Sequence, residues 1–504
     1  MTRTAAGWQR LDPRMLAVTP LRQLAGFLPV IAVVLIIGVQ QDLGGRVYGV
    51  GVGVLVVVLA GVLRWLTTRY RITSERVELR SGLLFRSARS VPRDRIRSVD
   101  VTAGPVHRLF RLSVVTVGTG ERSEGVESRE LTLDAISAAE ADRLRQRLLD
   151  SLDTEATGAA GDSNLSGVTA APAPTELATL DWSWLRFAPL TASSLVAVGA
   201  VAGAFGQLVG ELGANLAELG GVRERLSLAP LWLGVSAFAV LVLVIALLGS
   251  VLIFIEAWWG FRLVREPGGT LRIRRGLLTA RSVSLEERRL RGVEVVEPLL
   301  LRVGRGARTS AVATGLGSGH GRSILLPPAP RDEAHRVSGV VLAEEPSPTR
   351  TALRKHPRVA LRRRLARAVL PVLVGSAVLW LTALPSWVAW ATLGLVLVTV
   401  LLAFDAYRNL GHALTSRYLV TRHGAGRRGT VALQRAGVIG WTVSQSFFQR
   451  RAGLVTVTAT TAAGGGAYRV IDVQTADGLA VAERAVPGLL TPFLYQDVAT
   501  PPAH

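Results

Sequence analysis

One pattern recurs three times along this chain: helix-length apolar blocks run directly into a short strand-rich module. The first junction, Trp65 to Leu84, reads WLTTRYRITSERVELRSGLL; the second, Trp258 to Leu278, reads WWGFRLVREPGGTLRIRRGLL; the third, Ala413 to Leu433, reads ALTSRYLVTRHGAGRRGTVAL. Gly82-Leu83-Leu84 returns as Gly276-Leu277-Leu278, and Thr68-Arg69-Tyr70 is echoed by Ser416-Arg417-Tyr418. A repeat of this length is a whole domain, not a solenoid unit. Function in such a chain is organised around a membrane face rather than around one catalytic pocket.

The apolar blocks fall at 24–40, 47–66, 187–208, 230–256, 366–384 and 387–404. Each approaches the ~20 residues that a helix needs to cross ~30 Å of hydrocarbon, so the sequence predicts six spans in three hairpins. Arginine fixes the sidedness. Arg3, Arg10, Arg14 and Arg22 precede the first block, and Arg64, Arg69 and Arg71 follow the second. By the excess of positive charge on cytoplasmic loops, both termini and all three modules are expected in the cytoplasm of a multi-pass inner-membrane protein. The loops near Gly44, Gly220 and Pro385 are then external. No small-residue cleavage site follows the first block, which reads as an uncleaved anchor.

Within each module the periodicity turns from helical to alternating. Tyr70, Ile72, Val77 and Leu79 read as two strands around Ser74-Glu75, followed by strands at Ser87 to Val91 and Leu112 to Val117. Ile96 and Val99 read as a connector, and Asp134 as the N-cap of a closing helix. The second module repeats the order with Leu271 to Ile273, Arg281 to Leu285, Gly292 to Val296 and a helix from Asp332 to Leu342. The third shows Tyr418 to Val420, Thr430 to Leu433, Val438 to Val443, Leu454 to Thr460 and a helix from Asp477 to Leu490. The expected division is 1–64 (N-terminal segment and first hairpin), 65–150 (module 1), 151–180 (linker), 181–257 (second hairpin) and 258–342 (module 2). After it come 343–352 (linker), 353–412 (basic segment and third hairpin), 413–495 (module 3) and a tail, 496–504.

This order resembles the bacterial pleckstrin-homology proteins of the YdbS/YdbT type, the membrane-flanked domain family. The likeness rests on a span pair followed by Thr67 to Thr73 or Thr415 to Thr421, then GLLFRSARSVPRDRIRSVDV at Gly82 to Val101. It continues through His107 to Val117 and Phe448 to Thr461. The resemblance implies an α+β membrane protein in which each hairpin carries a cytoplasmic PH-like β-barrel closed by a C-terminal helix. It implies a non-enzymatic scaffold that serves envelope maintenance or tolerance of membrane-active agents. A six-span transporter or export component is the alternative. The second copy departs most, with Val264-Arg265-Glu266-Pro267 in place of the Tyr-x-Ile-Thr strand and a glycine-rich stretch at Gly315 to Gly321.

Other chemistry finds little support. The chain has no cysteine, which removes disulfides, thiolate metal sites and cysteine nucleophiles. Seven histidines are scattered without ligand spacing, so no metal site or cofactor is expected. The glycine-rich stretch leads into SILLPPAP instead of a helix, which argues against a nucleotide loop. The net charge of +21 is almost all arginine, Lys355 being the only lysine, and no aromatic interleaving points to nucleic acid. Glu256 and Asp405 stand at span ends, and Glu286, Glu287, Glu294 and Glu297 read as solvated ion-pair partners. The sharpest local signal is Leu353 to Arg367. Arg354, Lys355, Arg358, Arg362, Arg363, Arg364 and Arg367 crowd just before a span, where an anionic leaflet or an acidic protein partner would neutralise them.

Overall fold

The computed structural model describes residues 7–18, most of 53–118, 131–144, 173–191, 231–315, 323–381 and 385–490, with a few single positions besides. The expected span at 24–40, the tail and most of the first linker lie outside the described residues. The chain forms two compact units. One contains 1–179, 256–289 and 315–322; the other contains 180–255, 290–314 and 323–504.

In the first unit, β1 (Gln9–Arg10), β2 (Arg69–Ile72), β3 (Arg76–Ser81) and β4 (Ser87–Pro92) make a four-stranded sheet. The alternation read around Tyr70 and Val77 does place β2 and β3: Tyr70 and Val77 face the core. A second sheet begins with β5 (Ser98–Ala103), β6 (Leu112–Gly118) and β7 (Leu131–Ser137). Val99 is thus a buried strand residue and not part of a connector. Asp134 does not start the helix; it lies within β7, its Oδ1 3.3 Å from Nε2 of His107, and the helix begins only at residue 138. His107 sits on α1 (Pro105–Leu109), the one-turn helix between β5 and β6. The N-terminal segment belongs to this core too, because Leu11, Met15 and Val18 are buried in it and Trp65 Nε1 donates to the Leu11 carbonyl at 3.0 Å.

The second sheet does not stop at the first module. It continues through β11 (Ala280–Glu286), β10 (Thr270–Arg275), β9 (Arg262–Glu266) and β8 (Thr175–Thr179), in the order β7-β6-β5-β11-β10-β9-β8. The second unit repeats this fusion. β12 (Leu290–Pro298), β13 (Gly306–Ala313) and β14 (Ile324–Pro330) share a six-stranded sheet with β15 (Gly411–Leu414), β16 (Tyr418–His423) and β17 (Arg427–Gln434). A three-stranded sheet, β18 (Gly440–Ser444), β19 (Leu454–Thr460) and β20 (Ala467–Gln474), completes it. Successive modules therefore share open sheets. They do not close into three separate barrels, because an unpaired strand edge finds its hydrogen bonds on the next module.

Among the described residues, the helices after α1 whose bounds are fully described include α2 (Leu231–Trp258), α3 (Leu299–Val303), α4 (Arg331–Leu342), α5 (Arg358–Trp380), α6 (Ser386–Arg408), α7 (Phe447–Arg451) and α8 (Thr475–Ala485). The strands that flank each pair of apolar blocks are neighbours. β1 pairs with β2, β8 with β9, and Arg354 forms a bridge with His412 of β15. The same detail closes each module. A residue at positive φ after the one-turn helix (Arg111, Arg305, Gly453) accepts through its carbonyl from the amide that starts the last helix (Ala138, Arg331, Thr475).

The expectation of six spans is corrected. Among the described residues two helices are long and apolar enough to cross a membrane, Ser236–Trp258 in α2 and Trp390–Arg408 in α6. Only 22% and 11% of their apolar windows are buried, with Leu248, Leu252, Leu397 and Leu401 all facing outward. Such surfaces need an apolar surrounding. The block at 366–384 fails because α5 starts with arginines. Its charge-free part, 368–380, reaches only about 20 Å at ~1.5 Å per residue. The block at 187–208 begins in a 3₁₀ helix, Trp182–Leu190, whose Trp184 and Phe187 are buried. The block at 47–66 is described only in part.

Candidate functional site at the base of the third hairpin

The predicted basic cluster lies where α5 leaves the third module, and the structure divides it. Pro357 is the N-cap, and no acidic residue stands in the first turn. Arginines here oppose the helix dipole, so the local sequence creates a demand for negative charge. Asp472 of β20 meets it. Its backbone occupies the left-handed region at φ 59°, in an irregular stretch where the register jumps between Val455 and Val457. Asp tolerates that conformation better than most residues. The carboxylate is fully buried. One oxygen accepts from Arg363 and from Gln449 Nε2 at 2.9 Å, and the other accepts from Arg364 Nε at 3.1 Å. Arg354 reaches Asp477 at 3.1 Å.

Two histidines far apart in sequence complete the anchor. His356 Nδ1 lies 3.2 Å from the carbonyl of Asp472, and His356 Nε2 lies 3.0 Å from Nδ1 of His412. The Tyr407 hydroxyl donates to the carbonyl of His356 at 3.1 Å. Burial lowers both rings; His412 is pushed to about 4, with the neighbouring His356 and Arg354 adding to the effect. His335 on α4, also buried, falls to about 4 as well. An imidazole that is neutral when folded and titrates near 6.5 when unfolded supports the fold above pH 6.5. That support drains as the pH falls from 6.5 towards 4, since the unfolded chain takes up the proton first. For His412 the loss is on the order of 3 kcal/mol by pH 4. Denaturant unfolding at stepped pH should show it, with His412→Gln flattening the dependence; an unchanged slope in that variant would remove His412 as the source.

Three of the predicted cations, Arg354, Arg363 and Arg364, are thus ion-paired within the protein. Lys355, Arg358, Arg362 and Arg367 are exposed and have no carboxylate partner among the described residues. Sequence reasoning missed Asp472, Gln449, His356, His412 and Tyr407. The one available signal was a lone carboxylate among apolar residues in AYRVIDVQ. Other acidic residues also differ from expectation. Glu297 and Glu286 are buried rather than solvated. Asp405, at the end of α6, accepts from Arg302 at 2.6 Å, Asn409 Nδ2 at 3.0 Å and the Gly426 amide at 3.0 Å. Glu256 accepts from the Thr279 amide at 3.2 Å. Both anchor a helix end to a neighbouring turn.

The model of the family described as "Bacterial PH domain" matches residues 19–152 and 366–483, together half of the chain. Both matches fall on the first and third modules, leaving the divergent second one unmatched. The UPF0699 transmembrane protein YdbT of Bacillus subtilis (strain 168) is 23% identical over 441 residues, covering 82% of this chain and 84% of the relative. No solved structure matches significantly.

Proposed function

This chain belongs to the bacterial PH domain family, and from that premise we propose that it is a non-enzymatic membrane-anchored platform. It presents fused PH-like modules at the cytoplasmic face of the cell membrane, where they serve as a scaffold for other envelope proteins. Lys355, Arg358, Arg362 and Arg367 hold anionic lipid headgroups against the third module. The observation that carries this reading is the division of the basic segment. Arg363 and Arg364 are largely buried on Asp472 and Arg354 is paired with Asp477 at the surface, while four others stay exposed without a carboxylate partner among the described residues, beside the apolar helices α5 and α6. The pairing of the segments that flank each pair of apolar blocks supports placing the modules on one side of the bilayer.

Each cation near an anionic leaflet contributes about 1 kcal/mol, attenuated over a Debye length of roughly 10 Å at 0.1 M salt. Full-length protein reconstituted in mixed vesicles should therefore immobilise spin-labelled phosphatidylglycerol over phosphatidylcholine. Changing Lys355, Arg358, Arg362 and Arg367 together to glutamine should cut that preference about tenfold or more at low salt, and raised salt should imitate the change. A quadruple variant that keeps the wild-type lipid preference would refute the headgroup role.

A further inference from the structure

One kind of joint is made twice inside this chain. In the first, β5 lies antiparallel to β11 with Ser98 opposite Leu285, Asp100 opposite Val283 and Thr102 opposite Arg281. In the second, β12 lies antiparallel to β17 with Gly292 opposite Leu433, Glu294 opposite Val431 and Val296 opposite Gly429. Both follow one rule: the strand that opens a module's second sheet receives the strand that ends the next module's first sheet. Ile96, Leu290 and Val438 are the buried residues two positions before Ser98, Gly292 and Gly440, which aligns the three opening strands. β18 is then the third opening strand, and among the described residues no later strand pairs with its outer edge; it pairs only with β19. Thr442, Val443 and Ser444 are exposed on it.

The matching edge exists at the other end of the chain. β4 ends the first module's first sheet and, among the described residues, pairs only with β3. Its residues Ala88-Arg89-Ser90-Val91 are the same four, in the same order, as Ala280-Arg281-Ser282-Val283, which β11 presents to β5. Ser87 to Ser90 are exposed. β18 carries no charge to oppose Arg89. We propose that a second copy of this chain docks its β4 on β18, so that the joint made twice within the chain is made a third time between copies. The contact is head-to-tail, each copy offering one edge of each kind, and it extends into chains of copies or closes as a ring.

The internal joints also give the register. Carrying over their offset sets Arg89 opposite Ser444, Ser90 opposite Val443, Val91 opposite Thr442 and Pro92 opposite Trp441. Pro92 tempers the contact. The Arg93 amide donates to the Glu75 carbonyl on the β3 side, so by alternation position 92 faces the open edge. Ser284 holds that place in β11 and supplies an amide there; proline cannot. The joint between copies has one hydrogen bond fewer than those inside the chain, which makes it reversible.

The absence of native cysteine allows a clean test in membranes. Two differently tagged full-length copies, one Arg89→Cys and the other Ser444→Cys, are expressed together and oxidised. A residue pair that is not hydrogen-bonded brings Cα atoms to about 4.5 Å, within disulfide range. The expected result is a mixed dimer carrying both tags, at least fivefold more abundant than from Ser87→Cys with Ser444→Cys, which is two residues out of register. Adding Pro92→Ser to the Arg89→Cys copy should raise the yield further. Equal yields from the two pairings, or none from Arg89→Cys with Ser444→Cys, would overturn the proposal. So would cross-links from Ser444→Cys that reach only a different protein.

Discussion

Replacing Asp472 by alanine should destabilise the third module by about 3–5 kcal/mol, because it strands two largely buried cations whose one carboxylate partner among the described residues is Asp472. Arg363 and Arg364 retain 13% and 18% side-chain exposure, and Gln449 is buried beside them. None can recover full hydration without moving α5 off β20. A folded domain is stable by only ~5–15 kcal/mol, so a loss of this size empties much of its margin. Alanine also suits the positive φ at this position poorly, which adds ~1 kcal/mol or more of backbone cost. Asp472→Asn separates the two contributions, since asparagine tolerates the same backbone but carries no charge. Guanidinium unfolding of the full chain in detergent, followed by tryptophan fluorescence, should rank wild type above Asp472→Asn and that above Asp472→Ala. Asparagine behaving as wild type would show that the charge contributes nothing.

The second large effect is expected at Glu297. Its side chain is 3% exposed and takes both ends of Arg428, Nε at 2.5 Å and Nη2 at 2.8 Å, with Arg331 Nε at 3.1 Å. Glu297 and Arg428 are directly opposite across β12 and β17, so this fork joins the second module's strands to the third's. Glu297→Ala leaves Arg428 at 15% exposure without its acceptor and should cost about 3–5 kcal/mol. Changing both residues to methionine removes the stranded charge while filling the volume, and should return more than half of that loss. A double variant as unstable as the sum of its single variants would mean that the two side chains are energetically independent.

The local elements were largely legible. Period-two alternation at Tyr70 to Leu79 and at Leu454 to Thr460 marked strands because one face of each is buried, and side chains alternate strictly across a sheet. The helix expected from Asp332 to Leu342 is present as α4, Arg331–Leu342. Legibility ended where a residue's role depends on a distant partner. Asp134 has the composition of a cap but occupies a strand facing His107. Glu297 looks like any charged residue in an arginine-rich stretch until Arg428 is folded onto it. The seven cations of 354–367 formed one block in the sequence, and Asp472, more than a hundred positions later, divides them. Thr175–Thr179 lies in a segment whose composition reads as linker, yet β9 offers it an open edge.

By itself the sequence determined the family, the alternation of apolar blocks with strand-rich modules, and a cation excess poised beside the apolar helices. These follow from periodicity, composition and nearest-neighbour spacing, all of them local properties of the chain. Tertiary structure alone decided which apolar blocks remain long enough to cross a bilayer, which arginines the fold consumes and which strand edges meet. Pairing of β5 with β11 and of β12 with β17 uses backbone amides and carbonyls that every residue but proline carries. A hydrogen-bonding edge therefore leaves almost no mark in side-chain sequence, and its partner becomes known only when the chain is folded.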